Sequence, residues 1–188
     1  MWAGDQWQVP MPVGLAQDLA WSTAVLASEH GLGGVTFRAL ARHARMAPGT
    51  ITNHYRDKAE VLCICTSVIG RWLSDAGIEH VYIRGPIGLF PTPDDYCYRV
   101  LISAWAQLEA ASLNVPEMAD RVRGMAPLLR RGLQDAFPGR PVGQLDAAWR
   151  CLARIRLEVL LPGSDLSAPG ALALLEEGLA FSCPEAGT

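Results

Sequence analysis

The chain has 188 residues, a formal net charge of −3, half of its residues hydrophobic and 19% charged. Such a composition buries a core, which excludes global disorder. A chain acidic overall is no generic polycation, so any contact with nucleic acid must come from a local patch.

The length suits one ordinary domain, or a small domain joined to a medium one. Cysteines stand at 63, 65, 97, 151 and 183. Their spacing fits neither a disulfide framework nor a zinc site, so reduced core thiols of a cytoplasmic protein, without metal, are expected. The opening MWAGDQWQVP has no basic residue before an apolar run, and no signal peptide is expected. The longest apolar stretch, Val61 to Gly70, falls short of the ~20 residues a bilayer needs, so no membrane partner is expected.

In chain order, residues 1–13 are rich in Trp, Gln, Pro and Gly and read as a flexible arm. Leu15 to His30 has helical spacing and ends at Gly31, Gly33 and Gly34. A short helix follows from Thr36 to Ala44, a break at Arg45-Met46-Ala47, and a third helix from Pro48 to Tyr55. Asp57, with Glu60 three residues on, opens a fourth helix that the pattern carries to about Asp75. Val81-Tyr82-Ile83 is a faint strand candidate. Gly85 to Pro93 is a loop or very short helix. Helical patterns then cover Asp94–Asn114, Glu117–Phe137, Leu145–Leu161 and Ala168–Phe181. The chain is expected to be all-α, with a helix-turn-helix unit at 14–57 and a helical body at 58–188.

Three short helices with a tight break before the third form a helix-turn-helix pattern. Phe37, Leu40, Ala41 and Ala44 share one face of the second helix and should point inward. Arg38, Arg42 and Arg45 lie on a separate stripe about 100° away. From Thr36 to Lys58 five cations face Asp57 alone, a net +4 that leaves −7 on the rest. That asymmetry suits a segment meeting phosphate. On the third helix Ile51 and Tyr55 should be buried. Gly49, Thr50, Thr52, Asn53 and His54 remain around the other sides. Asn53 is suited to adenine N6 and N7, threonines to a thymine methyl or a phosphate, and Gly49 to close backbone approach. Lys58, at the start of the fourth helix, is suited to a phosphate.

The run GVTFRALARHARMAPGTITNHYRDKAEVL, Gly34 to Leu62, resembles the DNA-binding domain of TetR-type transcriptional regulators. Thr36, Ala44, Gly49, Thr50, Ile51, His54, Tyr55 and Lys58 match that family's pattern in register, and Leu19 to Gly31 fits its preceding helix. Three positions depart from it. Arg45 stands where a turn glycine is usual, Ala47 where a hydroxyl N-cap is usual, and Thr52 where an aromatic is frequent. Residues 1–37 also lack the usual basic arm. The resemblance implies a dimeric regulator of double-stranded operator DNA. It also implies an effector pocket between the fourth and seventh helices, without saying which residues line it.

For the pocket, Cys97, Leu101, Ala104 and Leu108 form the expected core face of the helix Asp94–Asn114. Tyr98, Trp105 and Glu109 lie on the neighbouring stripe. With Trp72 they are the candidate pocket residues, whereas His30 and His80 show no partner and are expected at the surface. The apolar second half of Leu145–Leu161 exceeds what a terminal helix buries alone. Leu157, Leu161, Leu172 and Leu175 are therefore the candidate dimer contacts. Nothing resembles a nucleophile elbow, a metal-ligand pair or a phosphate loop, so no enzyme and no cofactor are expected. The expectation is a ligand-released repressor acting as a homodimer in the cytoplasm. The alternative is a ligand-binding or protein-interaction module on the same fold with weak operator affinity.

Overall fold

A computed structural model describes residues 14–161 and 163–181, the last of these without its side chain. The expected arm at 1–13 and Cys183 lie outside the described residues. Among the described residues there are eight α-helices, one 3-10 helix and no strand. The helices are α1 (Leu15–Gly34), α2 (Phe37–His43), α3 (Pro48–His54) and α4 (Lys58–Arg84). After the 3-10 helix Gly85–Leu89 come α5 (Tyr96–Ser112), α6 (Pro116–Ala136), α7 (Val142–Leu160) and α8 (Ala168–Phe181).

The central element is α4. Its N-terminus is fixed by reciprocal caps: Asp57 accepts from the Glu60 amide at 2.9 Å, and Glu60 accepts from the Arg56 amide at 2.8 Å. From there α4 runs 27 residues, roughly 40 Å at ~1.5 Å per residue. This corrects two expectations. The helix does not stop near Asp75, and Val81-Tyr82-Ile83 is its last turn rather than a strand. The β-branched pair has no neighbouring strand to join, so helix continuity wins over local propensity. Gly85, at φ 67, ends the helix in a conformation that a Cβ would oppose. The 3-10 helix then folds back onto α4 so closely that a Cβ on Gly88 would lie 2.1 Å from the His80 carbonyl oxygen.

Helices α1, α5 and α6 pack around α4, and α7 and α8 pair beside them. Leu19, Leu40, Ile51, Val61, Ile69, Leu101, Leu108 and Met118 belong to one buried cluster. The N-terminal helices and the first half of the body thus share a core across the division expected at residue 57. A smaller cluster holds Leu89, Phe90, Leu133, Leu145, Leu152, Leu175 and Leu179. By length and mean hydropathy Lys58–Leu89 is sufficient to cross a membrane, but 67% of its apolar window is buried by the other helices. Cys63 and Cys65 are buried as expected; Cys97 is half-buried and Cys151 exposed, against the expectation of core thiols throughout. Burial pushes the Cys65 thiol up to about 12, which keeps it protonated and inert.

Candidate nucleic-acid interface and ligand cavity

The short helices are built by local rules. Thr36 caps α2, its hydroxyl accepting from the Ala39 amide at 3.1 Å. Leu40 and Ala41 face the core and Phe37 is partly buried against it. At the end of α2, the Met46 amide donates to the Ala41 carbonyl at 2.9 Å and the Arg45 amide to Arg42 at 3.3 Å. This pair of bonds is a Schellman ending, which requires a left-handed residue between helix and exit. That residue is Arg45, at φ 55, the one non-glycine with positive φ among the described residues. Ala47 then precedes α3 without a side-chain cap, and Pro48 occupies the first turn.

Ile51 is fully buried and Tyr55 packs against the same cluster, so α3 is anchored by one face. Its other faces present Gly49, Thr52, Asn53 and His54 to solvent, with Thr50 half-buried. The Thr52 hydroxyl donates back to the Gly49 carbonyl at 3.3 Å. A Cβ added to Gly49 would meet nothing within 4 Å, so no contact inside the chain demands glycine there. Arg38, Arg42, Arg45 and Arg56 are exposed. Lys58 behaves differently. Its ammonium donates to the Leu32 carbonyl at the end of α1 instead of standing free at the start of α4.

Between α4, α5 and α7 lies a cavity of about 280 Å³. Leu73, Ile102, Ala106, Trp149 and Leu157 line it, together with Trp105 and Glu109, which the sequence placed there. Trp72 and Tyr98 are not in its wall. Tyr98 lies one layer deeper, fully buried, where its hydroxyl donates to the Leu89 carbonyl at 3.2 Å. Burial alone pushes the Glu109 carboxyl above the usual carboxylate range.

The sequence reading overlooked Arg156. It is 6% exposed and lines the cavity. Its Nε donates to the Leu89 carbonyl at 2.8 Å and its Nη2 to the Tyr98 hydroxyl at 2.7 Å. A signal was present, because Arg156 continues the buried stripe Leu145, Ala148, Leu152 of α7 at steps of three and four. His80 was expected at the surface and is buried. Its ring stacks on Tyr98 at 4.7 Å, and its Nε2 lies 3.1 Å from the Asp95 carboxylate. Its Nδ1 lies 2.6 Å from Nη2 of Arg84. A guanidinium only donates, so Nδ1 must accept and the proton sits on Nε2. Burial holds the His80 pKa below its ordinary value; Asp95 opposes this, while Arg84 and Arg156 add to it.

Of the candidate dimer contacts, Leu157 and Leu161 are 41% and 54% exposed. Leu172 is half-buried. Leu175 is fully buried in the chain's own α7–α8 contact and offers nothing to a partner.

The helix-turn-helix is continuous with an all-helical body that borders a cavity. Residues 22–62 match the family of bacterial regulatory proteins called tetR. The whole chain is similar in fold to a transcriptional regulator from Rhodococcus sp. Rha1, at 16% identity and a TM-score of 0.73 over 89% of this chain and 95% of that one. It is also similar to a proposed TetR-family transcriptional regulator from Rhodococcus sp., at 14% identity and a TM-score of 0.69 over 89% and 97%. A proposed transcriptional regulator from Pseudomonas aeruginosa PAO1 matches at 14% identity and a TM-score of 0.64 over 88% of each chain. No curated protein sequence matches the chain.

Proposed function

We propose that the protein is a repressor that binds double-stranded operator DNA as a homodimer and is released by a small-molecule effector. One observation carries this reading. The exposed side of α3 offers Gly49, Thr52, Asn53 and His54, with the arginines of α2, the turn and Arg56 around it. Hydrogen-bonding side chains on a helix, ringed by cations, suit a major groove between two phosphate strands. Arg38, Arg45, Arg56 and Thr36 are assigned to phosphates, Asn53 to base edges.

Coupling runs along α5. This helix carries Trp105 and Glu109 on the cavity wall and Gln107 toward α1. The Gln107 amide accepts from the Leu32 amide at 3.1 Å and donates to the Ala27 carbonyl. A ligand that shifts α5 therefore moves the end of α1, to which Lys58 is also bonded. In a dimer, that shift changes the separation of two α3 helices from the ~34–36 Å that adjacent major grooves require.

The bond from Lys58 to Leu32, and the absence of Lys and Arg from residues 1–37, favour the second reading, a ligand-binding module with weak DNA affinity. A salt titration decides between them, using the wild-type protein on a labelled duplex from upstream of its gene and on a scrambled duplex. The repressor reading expects preference for the upstream duplex at all salt concentrations, with log affinity falling linearly in log salt. Equal affinity for both duplexes would leave the second reading.

A further inference from the structure

The cavity between α4, α5 and α7 has an uneven polar inventory. Arg156 is a permanent cation, because a guanidinium does not lose its proton in proteins. It is 94% buried, yet among the described residues no carboxylate lies within ion-pair distance of it, and its two bonds go to neutral oxygens, Leu89 O and Tyr98 Oη. A buried charge without a counter-charge is costly. The wall also holds Trp105, whose buried indole N–H has no acceptor among the described residues. Against these donors stands Glu109, half-buried and open to solvent. The remaining wall is apolar and aromatic, formed by Leu73, Ile102, Trp149 and Leu157.

We propose that the cavity binds a small hydrophobic carboxylate, its acid group on Arg156 and its apolar body against Trp105 and Trp149. The assignment rests on the effector reading above and names the chemistry of that effector. A carboxylate supplies the counter-charge that the described chain withholds from Arg156, as a charge-assisted hydrogen bond to a largely buried guanidinium. The volume of about 280 Å³ lies at the lower edge of the ~300–1,000 Å³ range of ligand pockets, which suits one ring with a short chain. A cationic ligand would meet Glu109 but would place its charge beside Arg156. An uncharged ligand would leave the guanidinium as it is.

Three probes of nearly equal shape separate these cases: 4-phenylbutanoate, 4-phenylbutan-1-ol and 4-phenylbutylamine, titrated into the full chain at about pH 7.5, where acid and amine are charged. Binding is read as a change in tryptophan fluorescence. The acid should bind at least ~10-fold more tightly than the alcohol, and the amine most weakly. Arg156→Met should abolish that preference and Arg156→Lys should retain part of it. Arg156 also ties α7 to Leu89, so folding of both variants is checked by circular dichroism. Glu109→Gln, at a half-exposed position, gives an independent arm: it should tighten acid binding and loosen amine binding. Overturning results are alcohol or amine binding as well as the acid, no response to any probe, or weaker acid binding in Glu109→Gln. Acid binding with no effect on operator binding would leave this site standing and defeat the release mechanism instead.

Discussion

Arg156 and Tyr98, 58 residues apart, are joined by a 2.7 Å hydrogen bond inside the core, and the same guanidinium reaches the Leu89 carbonyl. The pair pins α7 to α5 and to the 3-10 helix behind α4. Tyr98→Phe keeps the ring and its stacking on His80 but removes the acceptor for Nη2. A buried N–H left without a partner costs ~1–3 kcal/mol. Urea unfolding should show a loss of that size with an unchanged m-value. A loss below a few tenths of a kcal/mol would mean that water replaces the hydroxyl.

The His80 site makes stability depend on pH. Its pKa in the folded chain lies below the ordinary 6.5, so below that pH the unfolded chain binds more protons than the folded one. Stability therefore rises with pH through this window. The contribution is complete above 6.5 and is lost as the pH falls through the lower folded value. Thermal melts should show a drop as the pH falls below 6.5 that is flattened in His80→Gln. An equal drop in the variant would assign the acid sensitivity to other groups.

Arg45 holds a left-handed conformation at φ 55. That geometry costs an L-residue ~1–2 kcal/mol, part of which glycine's extra freedom in the unfolded chain offsets. Arg45→Gly should raise stability by under ~1 kcal/mol. Its affinity for DNA should fall, with the salt slope reduced by ~1, because one phosphate contact is gone. Unchanged DNA affinity would place the guanidinium away from phosphate.

Much of this was legible in the sequence, for physical reasons that differ by element. The special backbone at Arg45 was legible only through the resemblance, which has a turn glycine at that position; the Schellman bonds that impose it are seen in the structure. The inward faces of α2 and α3 followed from helical periodicity, and Ile51 and Leu40 are buried accordingly. The length of α4 was not legible, because Asp75, Glu79 and His80 interrupt its apolar pattern and only tertiary packing shows that His80 is inside. Tyr98 was assigned to the cavity because it shares a stripe with Trp105; it lies about two turns nearer the start of α5, where that stripe faces Leu89 and His80 instead of the cavity. Arg156 escaped because a charge on a core stripe reads as a break in the pattern. Lys58 was assigned to phosphate from its place in the motif, whereas its contact with Leu32 depends on where α1 ends in space.

The proposed homodimer is assigned to α7 and α8. Leu161 is 54% exposed in the single chain, so Leu161→Glu should fold, with a change within ~0.5 kcal/mol in the monomer. In a symmetric apolar seam the same carboxylate costs several kcal/mol. Light scattering at micromolar protein should give a dimer for the wild type and a monomer for the variant, which should also lose operator binding. A monomeric wild type would remove the two-half-site mechanism.

The central claim is that the exposed face of α3 reads DNA sequence, and Asn53 tests it most directly. Affinities of wild type and Asn53→Ala are measured at one salt concentration on the upstream operator and on random duplex of equal length. The account predicts that the variant loses ~1–3 kcal/mol on the operator and almost nothing on random DNA, so that its specificity ratio falls by the whole of that amount. Equal losses on both duplexes, or no loss on either, would contradict it.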